Sequence, residues 1–203
     1  VFVKNIDNVQ HYLNSKTTQI TWESLGGILI QFKEELRDLS RNPTKEGLVR
    51  LNAKYMFLSP DEVNAIGSVE QLRAILDRPT RVCGMVRNEG QPGGGPFWID
   101  DNGRISKQIV EKSQIRLSGD QFRLLVRSTH FNPVMIALST RDLEGKKIDL
   151  KKHMDVNKYF VVQKEQKGKK VQFVELPGLW NGGMADWNTL FVEVQQSVFT
   201  PVK

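Results

Sequence analysis

The chain of 203 residues is 39% hydrophobic and 26% charged, a balance that excludes a disordered or collagen-like polymer, and its length fits one large domain or one and a half ordinary ones. No apolar run approaches the roughly 18 residues of a membrane span; a single cysteine, Cys83, and three scattered histidines exclude a disulfide framework and zinc-finger spacing and fit a reducing, cytoplasmic setting. The net charge of +6 permits a polyanionic partner such as a phosphate ester without requiring one.

Val1-Phe2-Val3-Lys4 opens the chain as an apolar, β-branched strand that runs into the polar turn-formers Asn5-Ile6-Asp7-Asn8. A strand with no lead-in and no initiator Met, and a tail that stops as abruptly at Lys203, lead us to expect a piece of a longer protein. Gln19 to Leu39 has helical spacing: Ile20, Leu25, Ile28, Leu29, Phe32, Leu36 and Leu39 form one face, with Glu34, Glu35, Arg37 and Asp38 opposite. Gly26-Gly27 inside it predicts either close packing or a break, and Asn42-Pro43 ends it. Ser59-Pro60-Asp61-Glu62 starts a further short helix, and Ser68 with Gln71 another that Arg78-Pro79 stops.

From Arg81 the pattern turns to strands. Arg81–Val86 reads as buried, and Phe97–Ile99 and Ile105–Ile115 form a hairpin across Asp101-Asn102-Gly103. Pro133–Thr140 is a strand, Tyr159–Gln163 and Lys170–Val174 flank a polar hairpin tip, and Asn188–Val194 reads as a last central strand. The expected fold class is α/β, a mixed sheet with flanking helices: a strand plus helical segment over 1–80 and a β-rich portion of the same domain over 81–203.

Several constellations admit two readings. Asp7 after a strand either closes an Asx turn or holds Mg²⁺ with phosphate oxygens. Gly93-Gly94-Gly95 either lets backbone N–H groups approach an anion or sugar, or is an ordinary loop. Glu111 is either a solvent-facing strand charge or an acceptor for sugar hydroxyls; His130, in Ser128-Thr129-His130-Phe131-Asn132, is either held by its backbone surroundings or an acid–base group. Leu176 to Asn188 contains Trp180, Asn181, Asp186 and Trp187, residue types that suit either a pocket wall or a loop with aromatic plugs. The lysines of 146–170 interleave with acids, as on a solvated face rather than a nucleic-acid stripe.

In order along the chain, Asn5-Ile6-Asp7-Asn8, Cys83-Gly84-Met85-Val86, Val110-Glu111-Lys112-Ser113-Gln114, His130-Phe131-Asn132 and Phe199-Thr200-Pro201-Val202-Lys203 resemble the later half of nucleotidyltransferases of the UDP-sugar pyrophosphorylase type, a Rossmann-like fold. That resemblance implies a nucleoside triphosphate and a sugar phosphate as partners and Mg²⁺ as cofactor. It implies Asp7 on the metal, Gly84, Glu111 and Asn132 along the sugar, and Lys203 offsetting phosphate charge. Lys112 stands where those enzymes have Tyr and Gln114 where they have a second Glu, and their Gly-rich nucleotide loop does not occur in these residues, so a sugar-side half-site is implied. The wording Arg81-Val-Cys-Gly-Met-Val, Gly93-Gly-Gly-Pro-Phe-Trp, Thr129-His-Phe-Asn-Pro and Leu179-Trp-Asn-Gly-Gly-Met-Ala-Asp-Trp-Asn is also similar, over nearly the whole chain, to an uncharacterised bacterial domain-of-unknown-function family whose members are longer at the amino terminus. That family brings no established activity. The alternative to an enzyme is a non-catalytic sugar- or nucleotide-binding module.

Overall fold

The computed structural model describes residues 1–4, 8, 11–90, 93–178 and 182–200. A four-stranded mixed sheet forms its centre, built from β1 (Phe2–Lys4), β2 (Thr80–Met85), β5 (Met135–Ser139) and β8 (Asn188–Glu193) in the order β1-β5-β2-β8. β5 runs antiparallel to both β1 and β2, whereas β8 lies parallel to β2. The sheet is therefore mixed α/β as expected, but β8 stands at its edge among the described strands rather than in the middle.

Alternation along β2 sorts its side chains between two layers. Val82 and Val86 join the core beneath the helices, together with Met135, Ala137 and Leu190. Cys83 and Met85 join a second core on the opposite face with Ile109, Ile136, Met184 and Trp187. A strand buried on both faces is why this stretch lacks polar alternation.

The helical layer is led by α1 (Ser15–Arg41), whose buried residues Thr18, Leu25, Leu29, Phe32 and Leu36 recur at helical spacing. It begins earlier than Gln19 and runs unbroken through Gly26-Gly27. Gly26 is the close-packed one, since a Cβ there would lie 3.1 Å from the Phe2 ring of β1, whereas nothing crowds Gly27. Ile20, expected on the core face, is exposed.

Next comes α2 (Lys45–Tyr55), which the apolar pattern did not announce. Thr44 caps it by accepting the Gly47 N–H, and Met56 ends it in the left-handed region at φ 49°. Then α3 (Pro60–Asn64) carries a full capping box, Ser59 with Glu62. In α4 (Val69–Leu76) Ser68 Oγ accepts the Gln71 N–H, but the Gln71 side chain accepts from Gly67 rather than closing the box on Ser68.

On the other face lies the hairpin β3 (Gly95–Asp101) and β4 (Arg104–Val110), turned by Asn102 and Gly103 at φ 55° and 88°. A short helix, α5 (Gly119–Val126), follows without a buried residue. A second hairpin, β6 (Phe160–Gln166) and β7 (Lys169–Glu175), pairs only with itself and has no buried residue either. Among the described residues no helix is long and apolar enough to cross a membrane.

Candidate functional site

The carboxyl ends of β2 and β8 and the start of β5 point the same way, because β8 is parallel to β2 and β5 antiparallel to it. Several residues singled out from the sequence gather at this end. The Gly93–Gly95 segment passes so close to its neighbours that a Cβ would lie 2.3 Å from the Phe131 ring at Gly93, 1.8 Å from the Val110 carbonyl at Gly94 and 2.6 Å from the His130 carbonyl at Gly95. The glycines thus hold the Glu111 strand against the His130–Asn132 segment. The room beside them is filled by protein, which leaves no open cradle for an anion at those Cα positions. Gly84 is likewise a packing residue, with Leu25, Met135 and Val194 around it and its carbonyl accepting the Val134 N–H at 2.9 Å.

What this packing brings together is Glu111 and Asn132. The Asn132 amide donates to Glu111 Oε1 at 3.3 Å. Asn132 is only 6% exposed, yet its Oδ1 accepts no hydrogen bond. A buried carbonyl oxygen without a donor costs about 1–3 kcal/mol, so a position that keeps one has a strained or an incomplete environment. Burial pushes the Glu111 carboxyl above its ordinary range; the Asn132 hydrogen bond opposes this and nearby Glu175 adds to it. Gln114 shapes the turn after Glu111, accepting the Glu111 N–H at 3.0 Å and donating to the Lys158 carbonyl at 3.3 Å.

His130 lies at the rim. Its Nε2 is 3.0 Å from Glu193 Oε2 and its Nδ1 2.9 Å from Thr129 Oγ1, while Arg87 Nε donates to Glu193 Oε1 at 3.1 Å. The hydrogen bonds from His130 and Arg87 hold the Glu193 carboxyl below its usual range.

Asp7, Trp180, Asn181 and Lys203 lie outside the described residues. Their chain neighbours are informative all the same. Asn8, 3% exposed, donates to the Val198 carbonyl at 3.0 Å and accepts the Thr200 N–H at 2.8 Å. Phe199 stacks at 5.3 Å on Phe131, the residue between His130 and Asn132. Asn8 and residues 198–200 therefore meet, and Phe199 brings them against Phe131, the chain neighbour of Asn132.

Asp186 and Trp187 sit at the opposite end of the sheet. Trp187, 6% exposed, is packed with Cys83, Met184 and Ile136, so it is an aromatic plug and offers no ring face to a ligand. Asp186 receives Arg104 at 2.9 Å and Arg78 at 3.6 Å, and both arginines also approach Glu62, at 3.4 and 4.0 Å. Burial pushes the Asp186 carboxyl up, but the two guanidinium groups outweigh it and hold it below its ordinary range. Asp186 also borders a groove of about 850 Å³ between the β3–β4 hairpin and residues 152–158, lined by Trp98, Asp101, Gln108 and Lys158 among others. The groove's Lys158 and Asp101 are paired with each other at 2.8 Å, and the Gln108 amide donates to the Ala185 carbonyl. Sequence reasoning missed this groove, since its wall depends on a segment that carries no motif.

Among the described residues no three His, Cys, Asp or Glu side chains come together as a metal site. Of the other carboxylates at this end, Glu193 is held by Arg87 and His130, and Glu175, the one that acts on Glu111, lies 3.7 Å from Lys164. These residues do not fit a Mg²⁺ ion unaided.

A search of curated proteins gives no match for this chain. The model of one family, described as a domain of unknown function (DUF4301), matches residues 1–203, and the chain belongs to that family.

Proposed function

We propose that this domain is the sugar-side portion of a nucleotidyltransferase-like protein of the UDP-sugar pyrophosphorylase type, and that the carboxyl end of β2 and β8 takes a sugar phosphate. The observation that carries the reading is the buried Asn132 Oδ1 without a donor, next to Glu111. A sugar hydroxyl is both donor and acceptor, so one hydroxyl donates to Asn132 Oδ1 while a neighbour donates to the Glu111 carboxylate. The reaction is attack of the sugar-phosphate oxygen on the α-phosphorus of a nucleoside triphosphate, with pyrophosphate leaving. Lys203 offsets the negative charge of that transfer. The bond between Asn8, next to Asp7 in sequence, and Thr200, three positions before Lys203, supports this role. Mg²⁺ enters the proposal through Asp7 alone, and no step here is drawn through it.

The test is calorimetry on the intact protein with a hexose 1-phosphate, followed by UTP and Mg²⁺ with pyrophosphate release as the readout. We expect sugar-phosphate binding that Asn132→Leu abolishes and Mg²⁺-dependent turnover that Asp7→Ala abolishes. Binding without pyrophosphate release identifies a non-catalytic sugar-binding module instead. Absence of binding by any hexose 1-phosphate overturns both readings.

A further inference from the structure

The β6–β7 hairpin is the part of the molecule least accounted for by the rest. A two-stranded ribbon is at best marginally stable in water, and a third strand or a covering layer is what makes one persist. Here Val161, Phe173 and Val174 are exposed, and β7 pairs with no strand on its outer edge among the described residues. Its two-residue turn, Lys167 and Gly168 at φ 54° and 75°, fixes which groups face outward. Such a turn is closed by a hydrogen-bonded pair, here Gln166 and Lys169. Alternation then directs the backbone groups of Lys169, Val171, Phe173 and Glu175 toward β6 and those of Lys170, Gln172 and Val174 outward.

We propose that β7 pairs antiparallel with β7 of a second copy about a two-fold axis at Gln172, joining two hairpins into a four-stranded sheet. The sequence of β7, Lys169-Lys170-Val171-Gln172-Phe173-Val174-Glu175, is complementary to itself in this register. Lys169 lies opposite the partner's Glu175, Val171 opposite the partner's Phe173, and Lys170 opposite the partner's Val174. The outward-facing residues Lys170, Gln172 and Val174 are the ones this register uses for hydrogen bonds. On one face the result is an apolar centre of two Val–Phe pairs flanked by two Lys–Glu pairs. Lysines on an edge strand ordinarily discourage pairing; here Lys169 meets a carboxylate, so the same charges select this register over shifted ones. Within one copy Glu175 lies 3.7 Å from Lys164, an exposed contact that leaves it free to be shared. Glu175 is also near enough to Glu111 to influence its carboxyl, so the joint adjoins the candidate site.

Sedimentation equilibrium of the intact protein from micromolar to millimolar concentration tests this. A monomer–dimer equilibrium is expected. Glu175→Lys should weaken it about tenfold, and adding Lys169→Glu to that variant should restore it, since each cross-strand charge pair is formed twice. Gln172→Pro should abolish the dimer and leave circular dichroism and melting unchanged, because it removes an N–H that points away from β6. A monomer at every concentration, a dimer indifferent to charge reversal, or a dimer that survives Gln172→Pro overturns the proposal. If Gln172→Pro prevents folding, the reversal-and-rescue pair decides alone.

Discussion

The two ends of the central sheet hold similar residue types in different states. At the amino end of β2 and β8, Glu62, Asp186, Arg78 and Arg104 form a closed square of two anions and two cations, each touching both opposite charges. At the carboxyl end the polar inventory does not close. Among the described residues, Asn132 keeps an orphaned oxygen, and Glu111 sits half-buried with an amide as its hydrogen-bond donor and no cation paired with it. Orphaned atoms alone do not distinguish the two ends, since Trp187 Nε1 and Asn188 Oδ1 beside the charge square lack partners too; what differs is the carboxylates, which are paired with guanidinium groups at the amino end and, at Glu111, held by an amide.

The comparison can be broken most forcefully through Glu62. Glu62→Ala removes the anion shared by both arginines and the reciprocal half of the α3 capping box, so we expect a loss of about 3 kcal/mol in urea denaturation. Sugar-phosphate affinity of the folded fraction should stay unchanged. Asn8→Ala, which frees the Val198 carbonyl and the Thr200 N–H, should cost about 2 kcal/mol by the same measurement.

Smaller and more discriminating is the pH dependence, which has opposite sign at the two ends. Glu111 titrates above its unfolded value, so the folded chain binds the proton more tightly. Its contribution falls as pH rises from the ordinary Glu value through the raised one. Glu111→Gln should therefore match the native chain in acid and exceed it in stability at neutral pH. Asp186 titrates below its unfolded value: its contribution is present above the ordinary Asp range and lost as pH falls through the lowered value. Asp186→Asn should be less stable at neutral pH, by about 1 kcal/mol or less given its partial exposure, and converge with the native chain in acid. The smallest expected change in stability is that of Asn132→Leu. It removes an orphaned oxygen but also the amide that donates to Glu111, two effects of opposite sign, so the net change in urea denaturation should stay within about 1 kcal/mol.

Much of the architecture was legible where one force acted alone. The periodicity of α1, the Ser59 box and the Asn102-Gly103 turn are local signals, and each element lies where its residues indicate. The missed helices α2 and α5 have reasons. α2 starts without a capping box and carries Gly47, and α5 is eight residues long with no side-chain cap from Ser118, so neither has the start signal that marks α3. At the site, Glu111 and Asn132 were legible as residues but not as a pair. Their contact spans 21 positions and depends on three glycines whose missing side chains let the strands approach. The groove beside Lys158 and the charge square around Asp186 were out of reach for the same reason. Both join segments far apart in the chain, and no spacing rule links them.

The bond between Thr200 and Asn8 ties positions 192 apart, almost the full length of the chain. Closing a loop of such range carries a large entropic cost unless the fold between its ends is already in place. Hydrogen exchange at the Thr200 amide should therefore report, from the far end of the sequence, whether Asn8 holds its place.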